Sequence, residues 1–551
     1  MMAPRRRQGP SLVLVRHFLF FGLGAFVLLI GDAAPAREKS DVILLERIMV
    51  EGAADNYGRL PESTATAGPT TTSTRLPIDS REIPQSIGVI SEQLIGETAA
   101  RNAQDLAPFV SGVSGSRTNV GDGGGLIVRG FEIGATSTVD GFRDPRVTSA
   151  IGTFRSEDLA LYERVEILKG YSSVLYGRGN AGGTVNYVTK KPQFERAHSL
   201  EAGAASRDGY YRGVFDTTGP IGEDFAYRLI GVYQDSDFYS PGITDNRRII
   251  SPSFLWETPG GGDLFVRYEH SDVDFVAPYN AVLINGEVVE YNLYDPRNEA
   301  GERDADNIRL SFAQPLSSDW KLVMDGAYSG QDHSAQNLGF RPDSPVNPTQ
   351  SVGVNFRGNF NDWGYGVRGE LQGRLQLGPS AHKLAIGYDR YHRQADTLIT
   401  AAEFGTFGEG PVFDPQFGAP LPPPFDPPLR FEDDADEQGI YLLDHMTLFD
   451  RVHLLGGVRY TEFEASDRIN DVKTSDESAL SPTLGGVYDF TDSLSTYASW
   501  SQSFDPNTGI DVTGNTFDPR RGEQYEVGLK ATLSISASAT PPPPSIWCRT
   551  T

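Results

Sequence analysis

The chain has 551 residues, of which 48 are Lys or Arg and 73 are Asp or Glu, for a formal charge of −25. That balance argues against sequence-independent nucleic-acid binding, which rests on cations neutralising phosphates, and the single cysteine, Cys548, excludes an intrachain disulfide framework or a cysteine metal cluster. With 60 glycines, 11% aromatics and a hydrophobic share of only 38%, the composition suits many strands with one wet face rather than one large apolar core.

At the N-terminus, Arg5, Arg6 and Arg7 form a basic start, residues 18–30 are apolar, and Ala34-Pro35-Ala36 supplies a small-residue cleavage site. Residues 1–36 are therefore expected to be a signal peptide. The competing reading, a membrane anchor, is weakened by Arg16 and His17, which shorten the clean apolar run below a comfortable span. Residues 37–77 are polar and read as a flexible linker, apart from the short apolar strip Ile48-Met49-Val50. Residues 78–193 are denser: 87–90 and 164–168 read as strands, and 91–106 as one or two short helices.

From residue 194 to about 530 the texture changes to short segments of alternating apolar and polar residues. Leu322, Met324 and Tyr328 oppose Lys321, Asp325 and Ser329; Leu384, Ile386 and Tyr388 oppose Lys383 and Asp389. Val452, Leu454, Val458 and Tyr460 oppose His453 and Arg459, and Tyr525, Val527 and Leu529 oppose Gln524, Glu526 and Lys530. Period 2 with one apolar face is the strand signature. A soluble sandwich or barrel and a membrane β-barrel both produce it. Segment lengths near the roughly 9–11 residues that cross a bilayer favour the membrane case. So do aromatics at strand ends, and tight turns such as Asp450-Arg451 alternating with long loops. Residues 401–437 read as such a loop, and the acidic run from Glu432 to Glu437 as a solvated part of it.

Several conventional site signatures fail. Gly177-Arg-Gly-Asn-Ala-Gly182 matches G-x-G-x-x-G, but the strand-like Thr184-Val-Asn-Tyr-Val188 follows where a dinucleotide site needs a helix. The Gly121–Gly125 stretch lacks the Lys-Ser/Thr of a phosphate loop. The eight histidines are scattered without an H-E-x-x-H, so no catalytic metal is expected.

The stretch 81–192 resembles a known family. Arg81-Glu-Ile-Pro-Gln-Ser-Ile-Gly-Val-Ile90, Asp105-Leu-Ala-Pro-Phe-Val-Ser-Gly-Val113, Arg129-Gly-Phe131 and Val139-Asp-Gly-Phe-Arg143 occur in that order. Asp158-Leu-Ala-Leu-Tyr-Glu-Arg-Val-Glu-Ile-Leu-Lys-Gly170 follows, leading into Ser173-Val-Leu-Tyr-Gly-Arg-Gly-Asn-Ala-Gly-Gly-Thr-Val-Asn-Tyr-Val-Thr-Lys-Lys-Pro192. Together these blocks are similar to the plug of TonB-dependent siderophore receptors, with weaker echoes at Thr218-Gly-Pro-Ile221, Tyr227-Arg-Leu229 and Gly522-Glu-Gln-Tyr-Glu-Val-Gly528. The resemblance implies a mainly β protein: an N-terminal α/β plug domain, residues 78–193, inside a transmembrane antiparallel β-barrel, residues 194–530. It implies location in the outer membrane of a Gram-negative bacterium. The implied job is capture of an iron(III)-siderophore and its import to the periplasm. Energy would come from TonB and its inner-membrane complex, because an outer membrane has no ATP supply. No enzyme activity and no resident cofactor are implied.

The family pairs a short extended segment with TonB by strand addition. Glu46, Arg47, Ile48, Met49, Val50, Glu51 and Gly52 occupy the corresponding place, although the wording is less Thr- and Val-rich than usual. Gly170, Gly177, Gly182 and Gly183 are expected to serve tight turns and close backbone approach. Plug–barrel ion pairs are implied from Arg129, Arg164 and Lys169 to Glu523 and Glu526, with Lys169 standing where the family more often has Arg. Arg117, Arg143 and Arg146 are implied as cations attracting an anionic ferric chelate; for each, an ordinary loop arginine is the alternative.

Two departures matter. The barrel region has room for roughly 14 strands, not the roughly 22 of plugged transporters. The tail, residues 531–551, ends in four prolines and Ser-Ile-Trp-Cys-Arg-Thr-Thr, which cannot continue a ladder. A frameshift or premature stop after about Leu529 is the expected cause, with a smaller even-numbered barrel as the alternative. The alternatives on function are a receptor of the same family for cobalamin, haem or a glycan, a surface adhesin or phage receptor, and a secreted β-rich hydrolase.

Overall fold

In the computed structural model of the chain, the described residues are 74–115, 126–133, 137–143, 158–179, 181–205, 209–236, 244–275, 281–284, 287–290, 301–342, 351–405, 427–507 and 516–532. The expected signal peptide, the segment 46–52, Arg117, Arg146 and the tail beyond 532 lie outside them.

The plug is built on a five-stranded sheet in the order Ile87–Ser91, Tyr162–Lys169, Gly183–Thr189, Ser137–Val139, Phe142–Arg143. Its pairings are antiparallel except that Ser137–Val139 runs parallel to Gly183–Thr189. The helix Glu92–Thr98 starts where Ser91 Oγ accepts the Leu94 amide, and Ala103–Leu106 opens on a capping box of Asn102 and Asp105. Both helices leave their apolar side on the sheet. Leu94, Ile95 and Leu106 join Ile90, Val165, Ile167, Val185 and Tyr187 in one core, which also takes in Val214, Ile230, Val232 and Ile249 of the surrounding wall.

That wall is a 14-stranded antiparallel sheet from Ala197–Ala205 to Arg520–Ala531, with a small hairpin, Ala281–Ile284 and Glu287–Glu290, inserted after Asp263–Phe275. Strand lengths run from 9 residues in Ala197–Ala205 to 27 in Ser351–Leu377. The longest exceed what a bilayer requires. Tight turns close one end: Leu448 is joined to Val452 through Phe449, Asp450 and Arg451, the first two at positive φ, the backbone hand that matches strand twist. Among the described residues the first and last strands are each paired on one side only.

The sequence reading of a loop over 401–437 is corrected here. The strand Ser380–Gly405 extends into it, and the acids from Glu432 to Glu437 belong to the strand Leu429–Leu448. Local charge density suggested solvent, but alternation continues through the acids and turns Glu437 inward, where it is buried.

The wall is amphipathic in the inverted sense. Tyr525, Val527 and Leu529 are 75%, 80% and 72% exposed, and Ile386, Tyr388, Val458 and Tyr460 also face out. Asp325, Arg368, Asp389, Arg459 and Thr461 are buried on the inner face. Apolar outside and polar inside is what a lipid-facing strand wall requires. None of the described helices is long and apolar enough to cross a membrane.

An arginine on the outer face therefore tests the assignment. Leu480, exposed in the strand Val472–Thr491, is expected to lose about 2–4 kcal/mol of stability as Leu480→Arg if it lies near the bilayer midplane, and little as Leu480→Phe. Urea unfolding in lipid vesicles, followed by tryptophan fluorescence, measures it. Equal midpoints for the two variants would contradict a lipid-facing wall.

Candidate functional site

The inner face of the wall and the plug meet along a seam of buried charge. Arg368 Nε donates to Asp325 Oδ2 at 2.9 Å on the neighbouring strand. Arg459 grips Asp389 with Nη1 at 2.9 Å and Nη2 at 2.6 Å, both side chains fully buried. To reach it the guanidinium crosses over Gly439, where a Cβ would collide with it. The Tyr441 hydroxyl donates to Glu370 Oε2 at 2.6 Å.

The plug completes this belt. Arg368 Nη1 donates to the Gly141 carbonyl at 2.9 Å. Arg75 lies 4.9 Å from the Tyr441 ring centroid and 5.2 Å from that of Tyr176, with Nη2 3.6 Å from Asp389. Asp158, which caps the turn Leu159–Leu161, receives both terminal nitrogens of Arg212 at 2.7 and 2.9 Å. Burial would raise the Asp158 carboxyl, but Arg212 outweighs it and holds the group below the usual range. Asp140 is governed the same way: burial pushes it up, while Lys191, 2.9 Å away, and Arg309, 3.8 Å away, bring it down to about 2.

At the centre stands Glu437. Its carboxylate lies 2.7 Å from Arg143 Nη2 and 3.4 Å from Arg178 Nε, and also accepts the Arg178 amide at 3.3 Å. The preceding residue is Gly177 at φ +73°, and a Cβ there would run into the same carboxylate, so this glycine meets both demands, positive φ and close approach. One carboxylate thus serves two arginines. Burial, and then Arg143 beside it, pull Arg178 down to about 9, against the opposing pull of Glu437 and Asp505. The Arg143 guanidinium also covers the Tyr391 ring at 4.3 Å, and that of Arg178 faces Phe463 at 5.6 Å.

Of the residues singled out from sequence, Arg129 and Glu526 come together, 2.8 Å apart. Arg164 does not reach the wall: its Nε bonds Glu166 at 2.8 Å and its Nη1 pairs with Glu163, all on the plug strand Tyr162–Lys169. Glu523 is not a plug partner either. Strand alternation turns it outward, where Trp500 Nε1 and the Tyr525 hydroxyl donate to it at 2.6 and 2.9 Å. Lys169, lowered by burial and by its neighbour Arg129, donates to Ser111 Oγ at 3.2 Å, with Glu526 acting on it only as a nearby charge. Arg143 is not a free loop cation; it is buried and held by Glu437. Arg178, Arg212, Asp158, Asp389, Glu437 and Arg459 went unremarked as partners. Inward strand parity signals Arg212, Asp389, Glu437 and Arg459; Arg178 and Asp158 lie off the strands, where no local pattern marks them.

A family model described as TonB dependent receptor-like, beta-barrel, matches residues 256–540, and one for the TonB-dependent Receptor Plug Domain matches residues 79–184. The chain is 29% identical over 525 residues to the metal-pseudopaline receptor CntO of Pseudomonas aeruginosa, covering 91% of this chain and 71% of that protein. To the ferrioxamine B receptor of Salmonella typhimurium it is 27% identical over 500 residues, covering 83% and 66%. The structure of the pyoverdine outer membrane receptor FpvA of P. aeruginosa PAO1 superposes with a TM-score of 0.74 at 22% identity, covering 86% of this chain and 70% of that one. The receptor BauA of Acinetobacter baumannii gives 0.73 at 19% identity, covering 85% and 71%. At these identities the structural likeness concerns the fold alone.

Two outcomes follow for the seam. Glu437→Gln leaves Arg143 and Arg178 without their shared counter-charge and should destabilise the folded chain by about 3–5 kcal/mol. Denaturant titration reads that loss, and limited proteolysis of the plug reports where it falls. Asp140 has a folded pKa below its unfolded value, so its contribution of about 2 kcal/mol is complete above about pH 4 and is lost as pH falls towards 2. Asp140→Asn should flatten that limb of an acid-stability profile; an unchanged limb would assign it to other carboxylates.

Proposed function

The chain belongs to the TonB-dependent receptor family, and on that premise we propose that it is an outer-membrane importer of an iron(III)-siderophore. The observation that carries the ligand class is the convergence of two plug arginines, Arg143 and Arg178, on the one carboxylate of Glu437. Cations converging in this way suit a net-anionic metal chelate that exchanges with Glu437 as their counter-charge, and Tyr391 and Phe463 lie under the same two guanidiniums. Arg117 and Arg146, outside the described residues, add to that attraction in this reading. Relatives named as receptors for ferrioxamine B and for a metal–pseudopaline chelate support a chelated metal over cobalamin, haem or a glycan.

Import needs energy from the inner membrane. In this reading Glu46, Arg47, Ile48, Met49, Val50, Glu51 and Gly52 pair with TonB as an added strand, and tension drawn through residues 53–73 reaches the plug. The protein carries its cargo without changing it; no resident cofactor and no catalysis enter the account.

The test is radioactive iron uptake in an iron-starved Gram-negative host lacking its own receptors, supplied with a panel of hydroxamate, catecholate and carboxylate chelates. Uptake of at least one ferric chelate that collapses with a protonophore is expected. Ile48→Pro or Val50→Pro should abolish uptake while leaving surface binding intact, because proline cannot donate to the added strand. Binding without energised uptake of any chelate would favour an adhesin or phage receptor.

A further inference from the structure

We propose that Glu82, His445 and His453 form a binding site for a divalent transition-metal ion that ties the first turn of the plug to the barrel wall. The site lies at the tight-turn end, apart from the Arg143–Glu437–Arg178 seam. His445 and His453 flank the turn at Phe449 and Asp450 on neighbouring strands, and both side chains point inward. Glu82 comes from the plug turn Ser80–Glu82.

His445 is fully buried, yet neither of its ring nitrogens has a hydrogen-bond partner. Buried polar atoms are rarely left so. Its Nε2 stands 3.7 Å from Glu82 Oε2, and His453 Nδ1 stands 3.9 Å from the same oxygen. The two imidazoles are stacked, 5.9 Å apart and 12° from parallel. All three candidate ligand atoms lie within 4.8 Å of one another, so a central ion at the usual distances of about 2.0–2.2 Å requires only a small closure.

The surroundings fix the tautomer. His453 Nε2 lies 3.3 Å from Asp489 Oδ2, so it carries the proton and donates to that carboxylate. Nδ1 then keeps its lone pair, which accepts from the Thr447 hydroxyl 3.1 Å away and which an ion between it and Glu82 would take in the hydroxyl's place. A carboxylate behind a histidine, orienting it and raising its basicity, is the usual outer shell of a metal-bound imidazole. Two neutral imidazoles and one carboxylate suit Zn²⁺ or Co²⁺ with a fourth position for water, not the all-oxygen shells of Ca²⁺ or Mg²⁺. The cations nearby are Arg81, 3.9 Å from Asp489, and Lys383, opposite His445 in register; Glu82 supplies the charge that offsets them.

The position gives the ion a role. The turn carrying Glu82 is already pinned on its other side, where Lys530 of the strand Arg520–Ala531 donates to the Ser80 and Ile83 carbonyls. An ion would clamp both sides, making release of the plug's first turn depend on metal.

The test uses the full chain, chelator-stripped in detergent and titrated with Co²⁺ without siderophore. One equivalent should give the visible absorption of a four-coordinate nitrogen–oxygen site, displaced by Zn²⁺. Glu82→Gln should abolish it, and Asp489→Asn should raise the Kd about 10–100-fold. His270→Ala, at a separate grouping with Asp304 and Asp306, should leave it unchanged. X-ray absorption on the Zn²⁺-loaded wild-type chain, which needs no variant, should show two imidazoles and a carboxylate. No saturable Co²⁺ signal, a signal that survives Glu82→Gln, or a zinc shell without imidazole would each overturn the site.

Discussion

A strand wall whose apolar side meets lipid must put its charges in the lumen, and charges held there away from water need partners. That constraint organises the rest of the molecule. Asp325, Arg368, Asp389 and Arg459 settle part of it within the wall, strand to strand. The remainder falls to the plug, whose Arg75, Arg143, Asp158 and Arg178 face Asp389, Glu437 and Arg212. The plug is therefore a counter-ion as much as a stopper. Its glycines follow from this role: Gly177 is bare because Glu437 occupies the space a Cβ would take, as Gly439 is bare under Arg459.

How much of this the sequence disclosed depends on the range of each interaction. The inverted alternation was readable at Leu384–Asp389 and Tyr525–Lys530 because period 2 is a local property. The plug strands and helices were readable for the same reason, and the capping box of Asn102 and Asp105 lies within four residues. The charge partners were not. Arg143 and Glu437 are 294 positions apart in the numbering and meet only through the full register of the wall. Arg164 shows the opposite error. A basic residue on a plug strand was expected to look outward to the wall, but Glu166 two residues on shares its sheet face and takes the guanidinium first. Glu523 and Glu526 are separated by parity alone: an odd offset put one in lipid-facing company with Trp500 and the other in the lumen with Arg129.

The acidic run from Glu432 to Glu437 reads as a solvated loop from its charge density, and it holds no apolar alternation that would signal a strand. It is a strand because its acids find cations: Glu437, inward, meets Arg143 and Arg178 while Asp436, outward, meets Arg390. In a lumen, unlike an apolar core, a dense acidic strand is stable as long as the opposite wall or the plug answers it.

The polar character of the seam also bears on how firmly the plug is held. An apolar plug–wall contact would lose its whole burial energy on separation, about 25 cal/mol for each Å² re-exposed. An ion pair is different: what its partners lose in attraction on separating they largely regain in hydration, so the intact pair adds little net stability. Removing one partner by mutation is costly because the other stays buried; moving both into water together is not. The plug meets the wall through two apolar clusters, one with Val214, Ile230, Val232 and Ile249 and one in which Leu76, Ile78, Ile83, Val174 and Leu175 pack with Ala385, Tyr441 and Leu443, while the contacts around Glu437, Asp389 and Glu526 are ionic. The ionic contacts therefore add little to the plug's resistance to displacement, and most of that resistance falls to the two apolar clusters.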